Sequence, residues 1–454
     1  MKKIKKEKGI TLVALIVTIV ILLILAGISI STLTNTGIFD KAKEAQKVSE
    51  NAEKEQKNIL SEYEDEIYNN ASTSKVEKVS DSKPGELEIN ESNPNEYTIN
   101  SIEDLVFFSY DVRNGNTYEG KTVKLGQDLD FKSSKSYVNS HRTDYEKYGY
   151  SGDLKQTLET SGFEPIGIYK DDTWDFNNSF SGIFDGNKKI IYNLKIEKNI
   201  DENKKIGIGM FGANNGIIKN IKLKDVNIVI SENTRSFGAI GGIAGLNKKE
   251  KIINNCNVSG NIDVIESSGD YNLGGIIGSN CGECKKCFNE ANICGTIINP
   301  NLSVIMEARI GGIAGVNEKD GIIQDTYNTG NIYNKKDTEN QGAQYFLGGL
   351  VGKNIKNILD SYSVGKVINN SKYGRILINE ITYGNQNSTI ENSYYLKNSI
   401  TNNTTNNISK QSNGIEKTEE EMKTDNFIQL LNKENQNIWK KDTKNQNNGY
   451  PIFE

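Results

Sequence analysis

The sequence predicts a mainly β protein: a right-handed parallel β-helix (β-solenoid) preceded by a long N-terminal transmembrane and stalk α-helix, with short capping helices. Three observations predict the solenoid. A glycine-rich phrase, written Gly-Gly-Ile-Ala-Gly-Leu-Asn at residues 241–247, recurs between residues 206 and 396. Short β-branched segments bounded by Asn, Gly and Asp lie between the copies, and no helical apolar period survives there. Self-similarity at a fixed period of this size is typical of a stacked array.

The closing glycine of each copy marks the period, because successive closing glycines are 33, 33, 37, 37 and 32 residues apart. They are Gly212, Gly245, Gly278, Gly315, Gly352 and Gly384. We expect each coil to contain three or so short strands, stacked about 4.8 Å from the next coil. The glycine would recur at a corner, either because the chain turns there with positive φ or because the next backbone approaches closely.

A second phrase follows each glycine and supplies one small or β-branched residue per coil. We call this set the corner column and expect it to stack along the solenoid. Its members are Ile221, Cys256, Cys287, Thr326, Ser361 and Ser393.

The repeat resembles a known family. Gly-Gly-Ile-Ala-Gly-x-Asn at 311–317 and Asp-Ser-Tyr-x-x-Gly-x-Val at 360–367 are similar to the GLUG repeats of bacterial cell-surface proteins. Such repeats also occur in the non-catalytic N-terminal parts of immunoglobulin-A proteases. The resemblance implies a surface-exposed solenoid and does not name an activity, because a fold does not fix a function.

Composition excludes several classes of function. The chain has 454 residues, a formal net charge of −5 and one histidine, His141. Without a His-Glu-x-x-His motif, a zinc protease of the immunoglobulin-A type is not expected. No basic stripe follows residue 8, so we expect no nucleic acid partner. No cofactor is predicted.

The N-terminus predicts a membrane anchor. Residues 1–9 form a basic leader, and the uncharged stretch 10–30 would span about 31 Å as a helix, enough to cross a bilayer. The lysines would stay in the cytoplasm and the remaining chain would lie outside. A signal peptide or a simple anchor is the plainer alternative, although no small-x-small cleavage site closes the apolar run.

The junction of these two segments resembles a type IV prepilin leader, reading Lys-Gly-Ile-Thr-Leu-Val across Gly9 and Ile10. The resemblance implies that a prepilin peptidase cuts after Gly9 and that the new N-terminus, Ile10, is methylated. It also implies pilin-like subunits as partners. Ala14 departs from the family, which usually has Glu at that position to pair with a neighbouring subunit. Fibre assembly, a minor or tip pilin, and a repurposed anchor therefore all stay open.

The remaining segments complete the predicted organisation. Residues 31–70 form a stalk helix, either solvated or packed in a fibre or coiled coil, and 71–95 form a linker. Residues 96–205 form the first coils, with a cap helix beginning after Ser101 and a long loop suited to partner contact. Residues 397–417 form a polar loop, and 418–454 form a C-terminal cap that covers the last coil. We expect the protein on the surface of a bacterium of the Gram-positive type.

Acidic residues of the first coils are one candidate for chemistry. They could form turns, bind calcium or cleave glycosidic bonds. These residues are Asp128, Asp130, Asp171, Asp172, Asp175 and Asp185. The few arginines are scattered in sequence, which argues against an enzyme.

The five cysteines are a second candidate. Cys281, Cys284, Cys287 and Cys294 lie close in sequence and could bind zinc or an iron–sulfur cluster. Cys256 and Cys287 occupy the corner column of successive coils, at a spacing that a disulfide accepts. A metal site, one or two disulfides, and free thiols all stay open.

Together these patterns predict a non-enzymatic, membrane-anchored surface protein that binds an extracellular glycan or protein, or serves as a minor pilin. The alternative is a β-helix enzyme acting on surface glycans. A groove with two or three converging carboxylates and a Lys or Arg would favour the enzyme.

Overall fold

The computed structural model describes most of the chain after residue 86. The described residues are 87–137, 145–168, 178–200, 205–232, 237–298, 305–335, 342–372, 375–384, 388–404, 408–410, 414–432 and 437–453. The predicted leader, transmembrane helix and stalk, and most of the linker, lie outside this part of the chain. Among the described residues, no helix is long and apolar enough to cross a membrane.

The predicted mainly β fold and solenoid are confirmed: six coils stack in parallel register. Each coil visits four sheets, which we call D, C, A and B in chain order, so a coil has four or five strands rather than three. Coils 1 and 2 consist of β8 (Lys205–Ile208), β9 (Phe211–Asn214), β10 (Ile217–Lys219), β11 (Lys222–Glu232), β12 (Phe237–Gly241), β13 (Ala244–Asn247), β14 (Ile252–Asn254) and β15 (Asn257–Ser267).

From the third coil onwards, two short strands replace the single long strand of sheet B. Coils 3 and 4 consist of β16 (Asp270–Gly274), β17 (Ile277–Asn280), β18 (Glu283–Lys285), β19 (Phe288–Asn289), β20 (Asn292–Gly295), β21 (Met306–Gly311), β22 (Ala314–Asn317), β23 (Ile322–Gln324), β24 (Tyr327–Asn328) and β25 (Ile332–Asn334). Coils 5 and 6 consist of β26 (Ala343–Gly348), β27 (Val351–Asn354), β28 (Asn357–Leu359), β29 (Tyr362–Ser363), β30 (Val367–Asn369), β31 (Arg375–Asn379), β32 (Thr382–Gly384), β33 (Thr389–Glu391), β34 (Tyr394–Leu396) and β35 (Ile400–Asn402).

Further strands and a helix lead into the first coil. The strands are β1 (Glu88–Asn90), β2 (Asn93–Ile99), β3 (Thr122–Leu125), β4 (Leu129–Asp130), β5 (Ile183–Asp185), β6 (Ile190–Tyr192) and β7 (Lys195–Ile200). Helix α1 (Ile102–Arg113) is capped by Ser101, whose hydroxyl accepts the N–H of Asp104 at 3.1 Å. Its apolar residues join the solenoid core, with Phe108 against Phe180 and Phe184. The segment expected to be a long loop contains helix α2 (Leu154–Ser161).

The closing glycines lie within the strands of sheet C rather than at a corner, and none of them has positive φ. Close backbone approach is what requires them. A Cβ on Gly245 would lie 2.3 Å from the Ile208 nitrogen, and one on Gly278 would lie 2.3 Å from the Ile240 nitrogen. Sheet D therefore passes too close to sheet C for any side chain at this position.

Positive φ occurs instead at the corner between sheets A and B, one residue before the corner column. The residues there have φ between 48° and 58° and are Asn220, Asn255, Lys286, Asp325, Asp360 and Asn392. Asn and Asp tolerate this conformation better than other non-glycine residues do. The corner column that follows is buried throughout.

A buried ladder of asparagines runs along the end of sheet C. The Nδ2 of each of the first four donates to the Oδ1 of the next coil at 2.8–2.9 Å, and the Nδ2 of the last donates to the Lys356 carbonyl. The ladder consists of Asn214, Asn247, Asn280, Asn317 and Asn354. Because every amide finds a partner one coil away, these polar groups can be buried without an unpaired hydrogen-bonding group.

The C-terminal segment, residues 418–453, was expected to cover the last coil; it contacts Tyr394 of coil 6 and also sheet B residues of coils 4 and 5. It contains α3 (Glu419–Met422), α4 (Asp425–Leu431), β38 (Trp439–Lys440) and β39 (Ile452–Phe453), and it follows β36 (Ile408–Lys410) and β37 (Ile415–Lys417). β38 and β39 pair only with each other.

The segment packs against the outer side of sheet B, over a column of aromatic rings from coils 3 to 6. We call this column the aromatic stack; it consists of Phe288, Tyr327, Tyr362 and Tyr394. The ring of Tyr327 lies 4.6 Å from that of Phe288 and 5.2 Å from that of Tyr362, nearly parallel to both. The segment therefore docks through side chains rather than by extending the sheets.

Candidate functional site

A cavity of about 490 Å³ lies between α2 and the outer face of sheet B. We call it the insert pocket. It is lined by Phe131, Lys132, Leu158, Glu159, Asn193, Lys195, Asp225 and Asn227. This volume falls in the range of sites that hold small ligands.

Helix α2 forms one wall of the insert pocket because both of its ends are fixed. Asp153 caps its start by accepting the Gln156 N–H at 2.8 Å, and Leu158 is buried against the core. At its other end, the ammonium of Lys195 donates to the carbonyl oxygens of Glu159 at 3.1 Å and Thr160 at 2.7 Å. A lysine from sheet B thus stabilises the negative end of the helix and ties it to the solenoid.

The pocket has an apolar floor and a polar rim. Phe131 and Leu158 are buried, whereas the side chains of Lys132, Asp225 and Asn227 are exposed. Carboxylate, amide and ammonium groups above an apolar floor can hydrogen-bond a hydroxyl-rich or peptide ligand while burying its apolar faces.

A line of amides leads away from the pocket across sheet B. We call it the asparagine track: Asn227, Asn261, Asn292 and Asn331, one from each of coils 1 to 4. The Oδ1 of Asn292 accepts the Nδ2 of Asn331 at 3.2 Å, so the last two amides are already joined. No sequence pattern indicated the pocket residues, because Lys195, Asp225 and Asn227 come from two strands of sheet B and no motif marks them.

Three of the six candidate acidic residues, Asp128, Asp130 and Asp185, lie among the described residues. Asp128 accepts the Ile190 N–H at 2.9 Å and so links to the start of β6, whereas Asp130 accepts the Lys132 N–H at 2.9 Å in a turn. Burial raises the pKa of Asp185, but hydrogen bonds from Asn220 and Asn187 and nearby Lys219 bring it below its usual value. Asp171, Asp172 and Asp175 lie outside the described residues. No group of three or more metal-binding side chains forms within the described chain.

All five cysteines are free thiols in the structure. Cys256 and Cys287 lie in successive coils, and the Cys256 N–H donates to the Cys287 Sγ at 3.4 Å. Cys284 lies beside Cys287, and burial is the main cause that raises the pKa of the Cys287 thiol. Cys281 lies near Glu318 and Asp320, and Cys294 near Asp263 and Tyr333. Among these described thiols, four do not converge on one point as the metal hypothesis requires.

A charged group of residues from coil 4 and coil 5 was not anticipated. We call it the seam cluster; it consists of Glu307, Arg309, Glu318 and Lys353. Glu307 forms ion pairs with Arg309 and, at 3.7 Å, with the Lys353 Nζ. Burial raises the pKa of Glu318, and the nearby positive charges of Arg309 and Lys353 partly offset this increase. The stacking of coils thus brings carboxylates, an arginine and a lysine together, although the arginines are scattered in sequence.

No family model and no curated protein matches this sequence. The structure is similar to the crystal structure, at 1.30 Å resolution, of a protein from Bacteroides ovatus described as a "putative immunoglobulin A1 protease". The two chains are 17% identical with a TM-score of 0.47, and the match covers 82% of this chain and 94% of that chain.

This match corrects one prediction. The sequence was interpreted as that of a non-enzymatic protein, whereas the matched protein is described as a protease. The exclusion of enzymes is therefore withdrawn. The likeness itself assigns no activity to this chain.

Proposed function

We propose that this chain is a cell-surface β-solenoid, tethered by its pilin-like N-terminal helix, that binds an extracellular glycan or protein in the insert pocket. The observation that carries the proposal is the cavity of about 490 Å³ beneath α2, where charged and amide groups surround a buried apolar floor. The asparagine track extends the same face and offers further amides to a long ligand.

Ligand binding is tested with the full-length protein on arrays of bacterial and host glycans and of extracellular proteins. The variants Asp225→Ala and Asn227→Ala remove two exposed polar groups of the rim without touching the core. Each should weaken binding about tenfold, the usual effect of losing one hydrogen bond to a ligand. Lys319→Ala, on an exposed turn of coil 4, is the control and should bind normally. Equal affinity of the native chain and all three variants for the ligand would show that the insert pocket is not the binding site.

The anchoring part of the proposal is tested on protein extracted from its native cell envelope. A mature N-terminus at methylated Ile10 is expected if a prepilin peptidase processes the chain after Gly9. An intact Met1 would mean a plain membrane tether, and the pilin-like role would be dropped. If the N-terminus is methylated Ile10, cross-linking in the same cells would show whether other pilin-like subunits are neighbours. This measurement decides whether a fibre forms, because Ala14 replaces the Glu that usually pairs with a neighbouring subunit.

A hydrolytic role in glycan cleavage is the second candidate, and the seam cluster favours it. Glu318 has a raised pKa, as a general acid requires, and Arg309 and Lys353 could hold a negatively charged group nearby. Release of sugars from surface glycans by the purified protein, lost in Glu318→Gln and kept in Asp225→Ala, would place the chemistry here. Absence of release from any glycan in the panel would rule out this candidate.

A further inference from the structure

The corner column holds two cysteine thiols in successive coils with the same side-chain orientation. The Sγ of Cys256 lies 3.3 Å from the carbonyl oxygen of Asn254, and the Sγ of Cys287 lies 3.2 Å from that of Lys285. Each thiol therefore faces the carbonyl two residues before it. Both residues are buried, and the Cys256 N–H donates to the Cys287 Sγ at 3.4 Å.

The same column two coils further along shows how closely such side chains approach. There, the Oγ1 of Thr326 and the Oγ of Ser361 are 3.1 Å apart, and Ser361 faces the carbonyl of Leu359 in the same way. The γ atoms of neighbouring coils thus come within about 1 Å of the length of a disulfide bond, about 2.05 Å. Parallel strands about 4.8 Å apart also satisfy the Cα separation that a disulfide needs.

We propose that Cys256 and Cys287 form a disulfide that joins coils 2 and 3 when the protein folds outside the cytoplasm. The reaction is thiol–disulfide exchange with a small-molecule disulfide. One cysteine thiolate attacks it and releases one small thiol. The second cysteine thiolate then attacks the mixed disulfide, forming the Cys256–Cys287 bond and releasing the second small thiol. Both cysteine protons are lost to solvent or to the leaving thiolates, so electrons and atoms balance.

The disulfide must form during folding, before coils 2 and 3 pack together and bury both thiols. In the folded solenoid both thiols are buried, and burial is the main cause that raises the pKa of each. A protonated, enclosed thiol is a poor nucleophile, so the folded reduced protein resists oxidation. Folding in the presence of an oxidant and oxidation after folding should therefore give different products.

Cys284 is the competing partner, because it lies beside Cys287 in the same coil. A Cys284–Cys287 bond would join two residues of one coil and leave coil 2 unattached to coil 3. The other two cysteines contact different groups: Cys294 lies near Tyr333, and Cys281 lies near Glu318. They serve as controls.

The test is refolding of the full-length protein with and without glutathione disulfide, followed by non-reducing peptide mapping and thiol titration in denaturant. The expected product has a Cys256–Cys287 peptide pair and three free thiols, since two of the five cysteines are consumed. The midpoint of thermal unfolding should rise by roughly 5 °C, because the bond closes a loop of about thirty residues. Cys294→Ser should keep the bond, and Cys256→Ser should lose it.

Two results would overturn the proposal: five free thiols after oxidative refolding, or a Cys284–Cys287 pair in the unmutated protein. Peptide mapping of the unmutated chain decides between these outcomes even if Cys256→Ser does not fold. Ligand binding does not enter the test, so its failure would leave the proposed function standing.

Discussion

Docking of the C-terminal segment should depend on pH through one buried carboxylate. Asp325, only 4% exposed, accepts a hydrogen bond from the Trp439 Nε1 at 3.3 Å. Burial, followed by the negative charge of Asp360, raises the pKa of Asp325 from 3.8 to about 6, while the hydrogen bond from Trp439 and the charges of Lys286 and Lys285 oppose the shift. The docked state therefore binds a proton more tightly than a state in which this carboxylate meets water.

The sign and size of the pH effect on docking follow from this difference in proton affinity between the two states. Because the pKa is raised on docking, the docked segment is most stable at low pH and loses stability as the pH rises from about 4 through 6. A difference of about 2.2 pKa units corresponds to about 3 kcal/mol at most, fully lost above pH 7. Asp442 has the opposite effect on the pH dependence of docking, but only at lower pH. Burial raises its pKa, but backbone N–H groups bring it below 3.8, so it stays charged above pH 4.5.

Asp325→Asn isolates this effect. Asparagine keeps an oxygen acceptor for Trp439 and tolerates the positive φ of 51° at this position, but it carries no charge. The variant should hold the segment more tightly than the native chain at pH 7.5, by up to about 3 kcal/mol, and should show little change between pH 7.5 and 4.5. Asp320→Asn, at an exposed turn, is the matched control and should behave like the native chain.

The assay is urea unfolding followed by tryptophan fluorescence at pH 4.5 and 7.5. The chain has two tryptophans, so Trp174→Phe leaves Trp439 as the reporter of docking. A native segment equally stable at both pH values would refute the reasoning. So would an Asp325→Asn variant that unfolds more easily at pH 7.5, since the ionised carboxylate would then be favourable.

Two further predictions concern the repeat itself. Asn280→Ala should destabilise the solenoid by about 2–4 kcal/mol, because it removes a hydrogen-bond partner from the buried amides of both neighbouring coils, whereas Asn261→Ala on the outer face should change little in denaturant unfolding. Gly245→Ala should destabilise it by about 3 kcal/mol or more, because the new Cβ would lie 2.3 Å from the Ile208 nitrogen. Gly120→Ala, whose Cβ would meet nothing within 4 Å and whose φ is 72°, should cost only about 1 kcal/mol in the same measurement.

The sequence could reveal the period because each coil repeats the same requirements at the same positions. It could not say which requirement a glycine meets. Gly245 was expected at a corner, yet it lies inside β13, and the positive φ is found at Asn255 instead. Glycine serves both needs equally well, so only the path of the neighbouring backbone distinguishes them. Asparagine at the corner between sheets A and B is typical of a turn, and the sequence could have indicated the corner there.

Contacts along a column follow from the period, whereas contacts made by segments outside the repeat do not. Arg309 and Lys353 meet because each stands at a fixed place in its coil, and aligning the coils would have placed both near Glu307. Trp439 reaches Asp325 across 114 residues, and no register relates the two. The C-terminal segment is apolar enough to cover any exposed face, and the aromatic stack on sheet B decides which one. Candidate sites in such a chain are therefore best sought by stacking the repeat first and then asking which columns the non-repeating segments cover. Here, α2 and the C-terminal segment cover different parts of sheet B, and the asparagine track runs across the same sheet.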